Sequence, residues 1–347
     1  HGTDLDDVES PTADSVGQMR EEVREQVQQP EPVGAPSGSA AEPPPRPTFI
    51  GPASGAPTAP TGWRAVLGSL GIHVAPSAAA RLRADCTALV SRQWAGCRTI
   101  AVANGKGGVG KTMTTAMLAA VYARNGGGNV LAWDNNDTRG TLGWRTEQGI
   151  YDTTIRDLLP AAAHLLASTA GVSDITQFVH HQPADRYDVL RSNPELLATD
   201  QRIAAAQFDQ LMRVAARYYR LVIFDSGNDE SAERWLRMVD SSYQLVVPTL
   251  AAPESAESAA LLLDALRRRD EHSAVLAANA VVIVTESEPS ARVAVSRIVD
   301  GFAPLVRAVE VIPFDPALKA GPLRFDALRP ATRDAWLKAA ASAAGAL

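Results

Sequence analysis

Residues 105–112 read Gly-Lys-Gly-Gly-Val-Gly-Lys-Thr, and this octamer constrains the fold more than any other stretch of the chain. It satisfies the phosphate-loop pattern G-x-x-x-x-G-K-S/T, which works only as the turn between a buried strand and a helix. The flanks agree. Thr99-Ile100-Ala101-Val102-Ala103 is short and apolar, as a buried strand requires, and Met113 to Arg124 has helical character. Such a turn aims backbone N–H groups and the positive end of a helix at phosphate oxygens. Gly107, Gly108 and Gly110 give the loop its freedom and let backbone approach the ligand. The sequence therefore predicts that the 105–112 backbone, including Gly105 and Val109, cradles a nucleotide. Lys111 is expected to reach the β- and γ-phosphates and Thr112 to ligate Mg²⁺.

Only four of the 33 basic residues are lysines (Lys106, Lys111, Lys319 and Lys338), and two of them lie in this window. Elsewhere nearly all positive charge is supplied by arginine, so the loop marks a place where a compact ammonium is needed. At 347 residues and 46% hydrophobic content, the chain can bury an α/β core of one large domain. No run of about 18 apolar residues occurs, so no membrane-spanning helix is expected. The N-terminus is polar and acidic, and no signal peptide is expected. Cys86 and Cys97 are the two cysteines; isolated thiols of this kind suit a reducing cytoplasm. His180-His181 has no partner at ligand spacing and reads as a loop or surface pair rather than a metal site.

Organisation is uneven. Residues 1–60 hold 11 of the 23 prolines, and such a segment is expected to be disordered. Residues 1–47 carry ten acids against three arginines, a balance of −7, which leaves +1 for the other 300 residues. The core is therefore near neutral and carries no basic domain of the kind that announces nucleic acid. Val16, Met19, Val23 and Val27 give Asp14–Gln29 an amphipathic pattern ended by Pro30, a candidate partner-binding helix or a transient solvated one. Residues 43–47, Pro-Pro-Pro-Arg-Pro, read as a stiff linker or an extended ligand. Residues 63–97 read as a helical lead-in. From 98 to 347 strands and helices alternate, predicting a doubly wound, mostly parallel sheet. The strands are expected at 130–133, 187–191, 221–224, 243–247, 280–284 and 309–312. The helices are expected at 155–167, 201–218, 231–239, 255–269, 292–302 and 331–344.

Two acids end apolar strands. Leu221-Val222-Ile223-Phe224-Asp225 places Asp225 where a phosphate loop needs a carboxylate for the Mg²⁺ water shell. The second strand ends in Trp133-Asp134-Asn135-Asn136-Asp137-Thr138-Arg139-Gly140. With the extra lysine of 106–112, this stretch resembles the ParA/MinD family of P-loop ATPases with a deviant Walker A motif. Tyr187 to Asn193 and Val246-Val247-Pro248-Thr249 resemble strand ends of that family, and Ile312-Pro313-Phe314-Asp315 its adenine-side loop. The likeness covers roughly residues 98–340.

The resemblance implies ATP and Mg²⁺ as ligands and an ATP-dependent homodimer sandwiching two nucleotides, with Lys106 of each subunit reaching phosphates held by the other. It places Asp134 at the switch I metal position and Pro313 and Asp315 beside the adenine. There are two departures. Met113 replaces a second Thr after the Mg²⁺ ligand, and Asn136 replaces the water-orienting acid. Asparagine can hydrogen-bond water but cannot take its proton; the neighbouring Asp137 substitutes only if the loop shifts. Hydrolysis slower than about 1 s⁻¹ is expected.

Related branches fit less well. Those that need cysteines across a dimer axis find Cys86 and Cys97 ahead of the loop, and tyrosine-kinase relatives need a C-terminal tyrosine cluster, whereas the last tyrosine is Tyr243. Thr61-Gly62-Trp63-Arg64, behind the proline-rich tail, and Arg139-Gly140-Thr141-Leu142-Gly143 look like the MinD-like proteins of actinobacterial type VII secretion. That likeness implies a regulatory or positional role beside a membrane-bound assembly, with residues 1–60 recruiting a protein partner. Two alternatives stay open. One is a DNA-partitioning ATPase binding non-specific DNA through Arg267, Arg268, Arg269, Arg292, Arg297, Arg324 and Arg329. The other is an ATP-bound scaffold that does not hydrolyse. A membrane-binding C-terminal helix is not expected, because Asp334–Lys338 and the alanines after it offer little apolar bulk.

Overall fold

A computed structural model describes residues 76–347 apart from 138, 196–201, 290–291 and 320. The acidic tail, the Asp14–Gln29 pattern and Trp63 lie outside the described residues. Contacts divide the chain at Val74/Ala75, and the C-terminal unit is the α/β body.

In chain order the unit runs α1 (Ala78–Val90), β1 (Arg98–Val102), α2 (Lys111–Gly126), β2 (Val130–Asn135), α3 (Ile155–Leu165), the single turn α4 (Val172–Ile175), β3 (His180–Gln182) and β4 (Tyr187–Leu190). It continues through α5 (Ala205–Tyr218), β5 (Leu221–Ser226), α6 (Glu233–Asp240), β6 (Gln244–Leu250), α7 (Pro253–Arg269), α8 (Glu271–Ala278), β7 (Val281–Thr285), α9 (Arg292–Phe302), β8 (Ala308–Ile312) and α10 (Pro330–Ala343). The strands form one sheet in the order β3-β4-β2-β5-β1-β6-β7-β8. All pairs are parallel except β3 with β4.

Alternate strand residues go to opposite faces, and the two cores show it. Ala101, Leu131, Trp133, Val222, Phe224 and Val247 join α3 and α5–α9. Ile100, Val102, Val130, Ala132, Ile223 and Val246 join α1, α2 and α10. Both faces are covered, which is why the strands read as continuous apolar runs rather than alternating ones. Trp133 anchors the first core, its ring 5.2 Å from Phe208 and 5.1 Å from Phe224. Such ring pairs contribute roughly 1 kcal/mol each beyond area burial.

Two expectations are corrected and one element is added. The lead-in is helical only over Ala78–Val90 among its described residues; Ser91 closes the helix and 92–97 form a connection. His180 and His181 lie in a strand, β3, antiparallel to β4. His180 is buried: its Nδ1 accepts from Gly149 N at 3.0 Å and its Nε2 sits 2.7 Å from Thr153 O. Two polar residues in a three-residue strand carry no apolar period to read. Finally, the 271–278 segment forms a separate helix, restarted where Asp270 accepts from Ser273 N at 2.7 Å.

Candidate functional site

β1 is flanked by β5 and β6, so the loop that follows it emerges mid-sheet, where crevices form at the carboxyl ends of parallel strands. Gly108 and Gly110 have φ of +76° and +95°, left-handed values that favour glycine, and Gly110 caps α2. Gly107 and Gly108 are exposed, whereas Val109 is buried and pins the loop to the core. Gly105 lies against the Glu230 carboxylate, which a Cβ there would meet at 2.5 Å and have to displace.

Lys111 is 8% exposed. Its ammonium donates to Asn104 O and Lys106 O, both at 2.9 Å, and to Asn228 Oδ1 at 2.7 Å. Burial pulls its pKa below the usual lysine range, against the pull of Asp225 and Glu230, and phosphate oxygens would favour the charged form in the same way as those carboxylates. Lys106, by contrast, is exposed, although its N–H donates to Asn104 Oδ1 at 3.0 Å.

Thr112 Oγ1 donates to Asp225 Oδ2 at 2.7 Å and lies 2.9 Å from Thr141 Oγ1. β2 and β5 place Asp134 directly beside Asp225 in register. Both carboxylates are buried. Burial and the neighbouring Asp134 push Asp225 up to about 8; burial, opposed by Ser192 and Arg234, leaves Asp134 at about 6. Ser192 Oγ donates to Asp134 Oδ2 at 2.8 Å, while Asp134 Oδ1 has no hydrogen-bond partner among the described residues. Two adjoining carboxylates with one orphaned oxygen and a threonine hydroxyl alongside are short of positive charge, and this donor set fits a hard divalent cation with water ligands. A set of three or more His, Cys, Asp or Glu ligands is absent among the described residues.

These groups border a cavity of about 320 Å³ that Gly107, Gly108, Met113, Asn136, Arg139 and Arg145 also line. The structure thus gathers Lys111, Thr112, Met113, Asn136 and Asp225 around one space, with Asp134 behind them. Asp137 faces elsewhere, its Oδ1 accepting from Arg234 Nη1 at 3.0 Å. Asp315 is buried, and its carboxylate accepts from Ala317 N at 3.0 Å and Arg329 N at 2.8 Å. It shapes the loop after Pro313 from within. Of the candidate DNA-binding arginines, Arg267 pairs with Asp264, Arg269 with Asp240, and Arg324 with Glu147.

Sequence reasoning missed Asn104, Asn228, Glu230, Ser192 and Arg234. Asn104 had a readable signal, a polar residue ending an apolar strand; its Nδ2 donates to Pro248 O at 2.9 Å and fixes the loop base. Arg234 had none, since an arginine on a predicted amphipathic helix reads as solvated. Among the described residues no helix is long and apolar enough to cross a membrane.

Comparison with known proteins agrees with this geometry. Residues 97–309 match the family AAA_31, described as an AAA domain. The ESX-1 secretion-associated protein EspI of Mycobacterium tuberculosis is 28% identical over 286 residues, covering 81% of this chain and 41% of EspI. The chromosome-partitioning ATPase Soj of Thermus thermophilus is 34% identical over 173 residues, 49% of this chain and 61% of Soj. The chain therefore spans less than two thirds of either relative. A ParA family ATPase from Chlorobium tepidum TLS shares the fold at a TM-score of 0.58 and 18% identity, covering 71% of this chain and 98% of that one.

Proposed function

The chain belongs to the AAA_31 family, with a ParA/MinD-like P-loop ATPase fold, and from that premise we propose that it is a slowly hydrolysing, ATP-driven dimerisation switch. The observation that carries this reading is the division of labour between the two loop lysines. Lys111 is folded into the loop on Asn104, Lys106 and Asn228, whereas Lys106 stands exposed at the rim. An exposed ammonium in a phosphate loop is free to serve phosphates held by another molecule.

On this reading residues 105–113 wrap the triphosphate, and Lys111 exchanges its carbonyl partners for β- and γ-oxygens. Thr112, Asp225 and Asp134 would hold Mg²⁺, directly or through water, and the ion would supply charge neutralisation to the phosphates. Asn136, on the cavity wall, orients water without accepting its proton, so turnover stays below about 1 s⁻¹. Pro313 and the loop shaped by Asp315 face the base. Loss of the γ-phosphate then removes what Lys106 was neutralising, and the pair separates.

We assign residues 98–347 to the ATPase domain, 61–97 to a lead-in and 1–60 to a partner-recruiting tail. The likeness to EspI, together with the 139–143 sequence, supports a regulatory or positional role beside a type VII secretion assembly, at the cytoplasmic face of a membrane. The Soj likeness favours a second reading, ATP-dependent binding of non-specific DNA. The carboxylate and carbonyl partners of Arg267, Arg269 and Arg324 count against it.

Light scattering after gel filtration tests the switch. Mg·ATP should double the mass, ADP should not, and Lys106→Ala should stay monomeric while still binding ATP. A wild-type protein that stays monomeric at saturating ATP overturns the reading. DNA affinity that appears with ATP and falls steeply with salt would select the second.

A further inference from the structure

Arg234 is 1% exposed, and a buried guanidinium is costly unless its five N–H donors find partners. Nε donates to Asn135 Oδ1 at 2.8 Å, Nη2 to the Asp134 carbonyl at 3.2 Å, and Nη1 to Asp137 Oδ1 at 3.0 Å and, at a longer 3.4 Å, to the Asn136 carbonyl. Asn135 answers with its Nδ2 on the Arg234 carbonyl at 3.1 Å. One side chain thus grips four consecutive residues, those that carry the chain from the end of β2 into the loop beside the phosphate cavity. Arg234 itself belongs to α6, which follows the loop after Asp225.

Packing holds this loop only in part: Asp134 and Asn135 are buried, with Gly227 N donating to Asn135 O at 3.2 Å, whereas Asn136 and Asp137 are half-buried. Behind it lies a second cavity, of about 470 Å³, bordered by Arg202, Gln207, Asp229 and Trp235. Asn136 lines both this space and the phosphate cavity, so the loop is a thin wall between two voids. A wall with room on either side is fixed by its bonds, and those to Arg234 come from one rigid planar fork, a geometry lysine cannot reproduce.

We infer that Arg234 is a positioning residue that latches the loop after β2 to the helix after β5, holding Asn136 at the phosphate cavity and Asp137 out of it. The two loops that flank the γ-phosphate then move as one body, and a displacement of α6 is delivered to Asn136. The kinetic part of this inference rests on the ATPase reading; the mechanical part does not need nucleotide.

The test is a double-mutant cycle on the full chain with Arg234→Lys, Asp137→Asn and the double variant. Hydrogen exchange followed by mass spectrometry reads amides 134–137 without nucleotide. Each single variant should speed exchange there by about tenfold, a middling value for a coupled pair, and the double variant no further. Peptides from β1 are the control. An unchanged rate at 134–137, additive effects, or equal acceleration in β1 overturns the latch. Asp137→Asn keeps an acceptor oxygen in place, so it decides the matter if Arg234→Lys fails to fold. In single turnover, Asp137→Asn should lose about tenfold or more in hydrolysis rate, with ATP affinity within about threefold of wild type. Wild-type protein that binds no fluorescent ATP analogue overturns the ATPase reading alone and leaves the exchange result to judge the latch.

Discussion

Replacing Asp225 by asparagine should stabilise the metal-free protein at alkaline pH, and the size of the gain follows from the buried carboxylate pair. Both acids are raised above the ordinary 3.8, Asp225 to about 8 and Asp134 to about 6. The unfolded chain therefore gives up these protons first. Between about pH 4 and pH 8 the native state holds more protons than the unfolded one, so stability falls as pH rises. From about pH 5 to about pH 8 the linkage relation gives roughly 4 kcal/mol for Asp225 and roughly 1 kcal/mol for Asp134, on the order of 5 kcal/mol together. For a domain of this size that lowers Tm by roughly 10–20 °C. The assay is a set of thermal melts at about pH 5, 6.5 and 8, in chelator and in excess Mg²⁺, for wild type and Asp225→Asn. Wild type in chelator should lose Tm with rising pH and recover it with Mg²⁺, most at the alkaline end, because the cation binds the deprotonated pair. Asp225→Asn should show a much smaller slope and little response to Mg²⁺. A difference between wild type and variant that does not vary with pH, or a Mg²⁺ effect equal at both ends, refutes the argument.

Asn136→Asp should raise single-turnover hydrolysis by about 10²-fold, the low end of what a positioned general base contributes, read as phosphate release; an unchanged rate would mean that residue 136 does not meet the attacking water. Gly140→Ala would place a Cβ 2.1–2.4 Å from the Asp134 carboxylate atoms. That carboxylate is buried and tied to Ser192, so the switch loop must yield, at about 1–3 kcal/mol. The expected readout is a Tm drop together with weaker Mg²⁺-dependent ATP binding, and a variant with native Tm and affinity would show that the loop does not sit on Asp134.

What was legible in the sequence followed from strong local patterns. The loop at 105–112, the apolar strands and the acids that end β2 and β5 each announce themselves, because a parallel strand buried on both faces has no polar positions to blur it. Expected strand ends fell short where polar residues remain in the ladder, as with Asp134–Asn135 and Asp225–Ser226. β3 was invisible for the same reason: its side chains are His180, His181 and Gln182, and what holds His180 inside is a pair of backbone partners on Gly149 and Thr153. The switch residues were only half legible. Sequence order gives Asn136 and Asp137 equal claim to the cavity. Which one faces it is decided by an arginine 97 positions beyond Asp137, a contact no local pattern encodes.

That decision bears on how the proposed switch is timed. A carboxylate adjacent to the site exists in Asp137, yet it is spent on Arg234, and the residue left at the cavity wall cannot take a proton. Freeing Asp137 without replacement would take its carboxylate partner from a buried guanidinium that keeps only carbonyl and amide acceptors, a cost of up to about 3–5 kcal/mol, so thermal motion seldom presents it. Slow hydrolysis then follows from two features that reinforce each other, the chemistry of Asn136 and the engagement of Asp137. An activator acting on this body has two physical routes: it can supply Arg234 with another acceptor, or it can bring its own group to the water. The first route works through the 470 Å³ cavity on the far side of the loop and depends on Asp137; the second works from the phosphate side and does not. Asp137→Asn therefore separates them, abolishing stimulation in the first case and preserving it in the second.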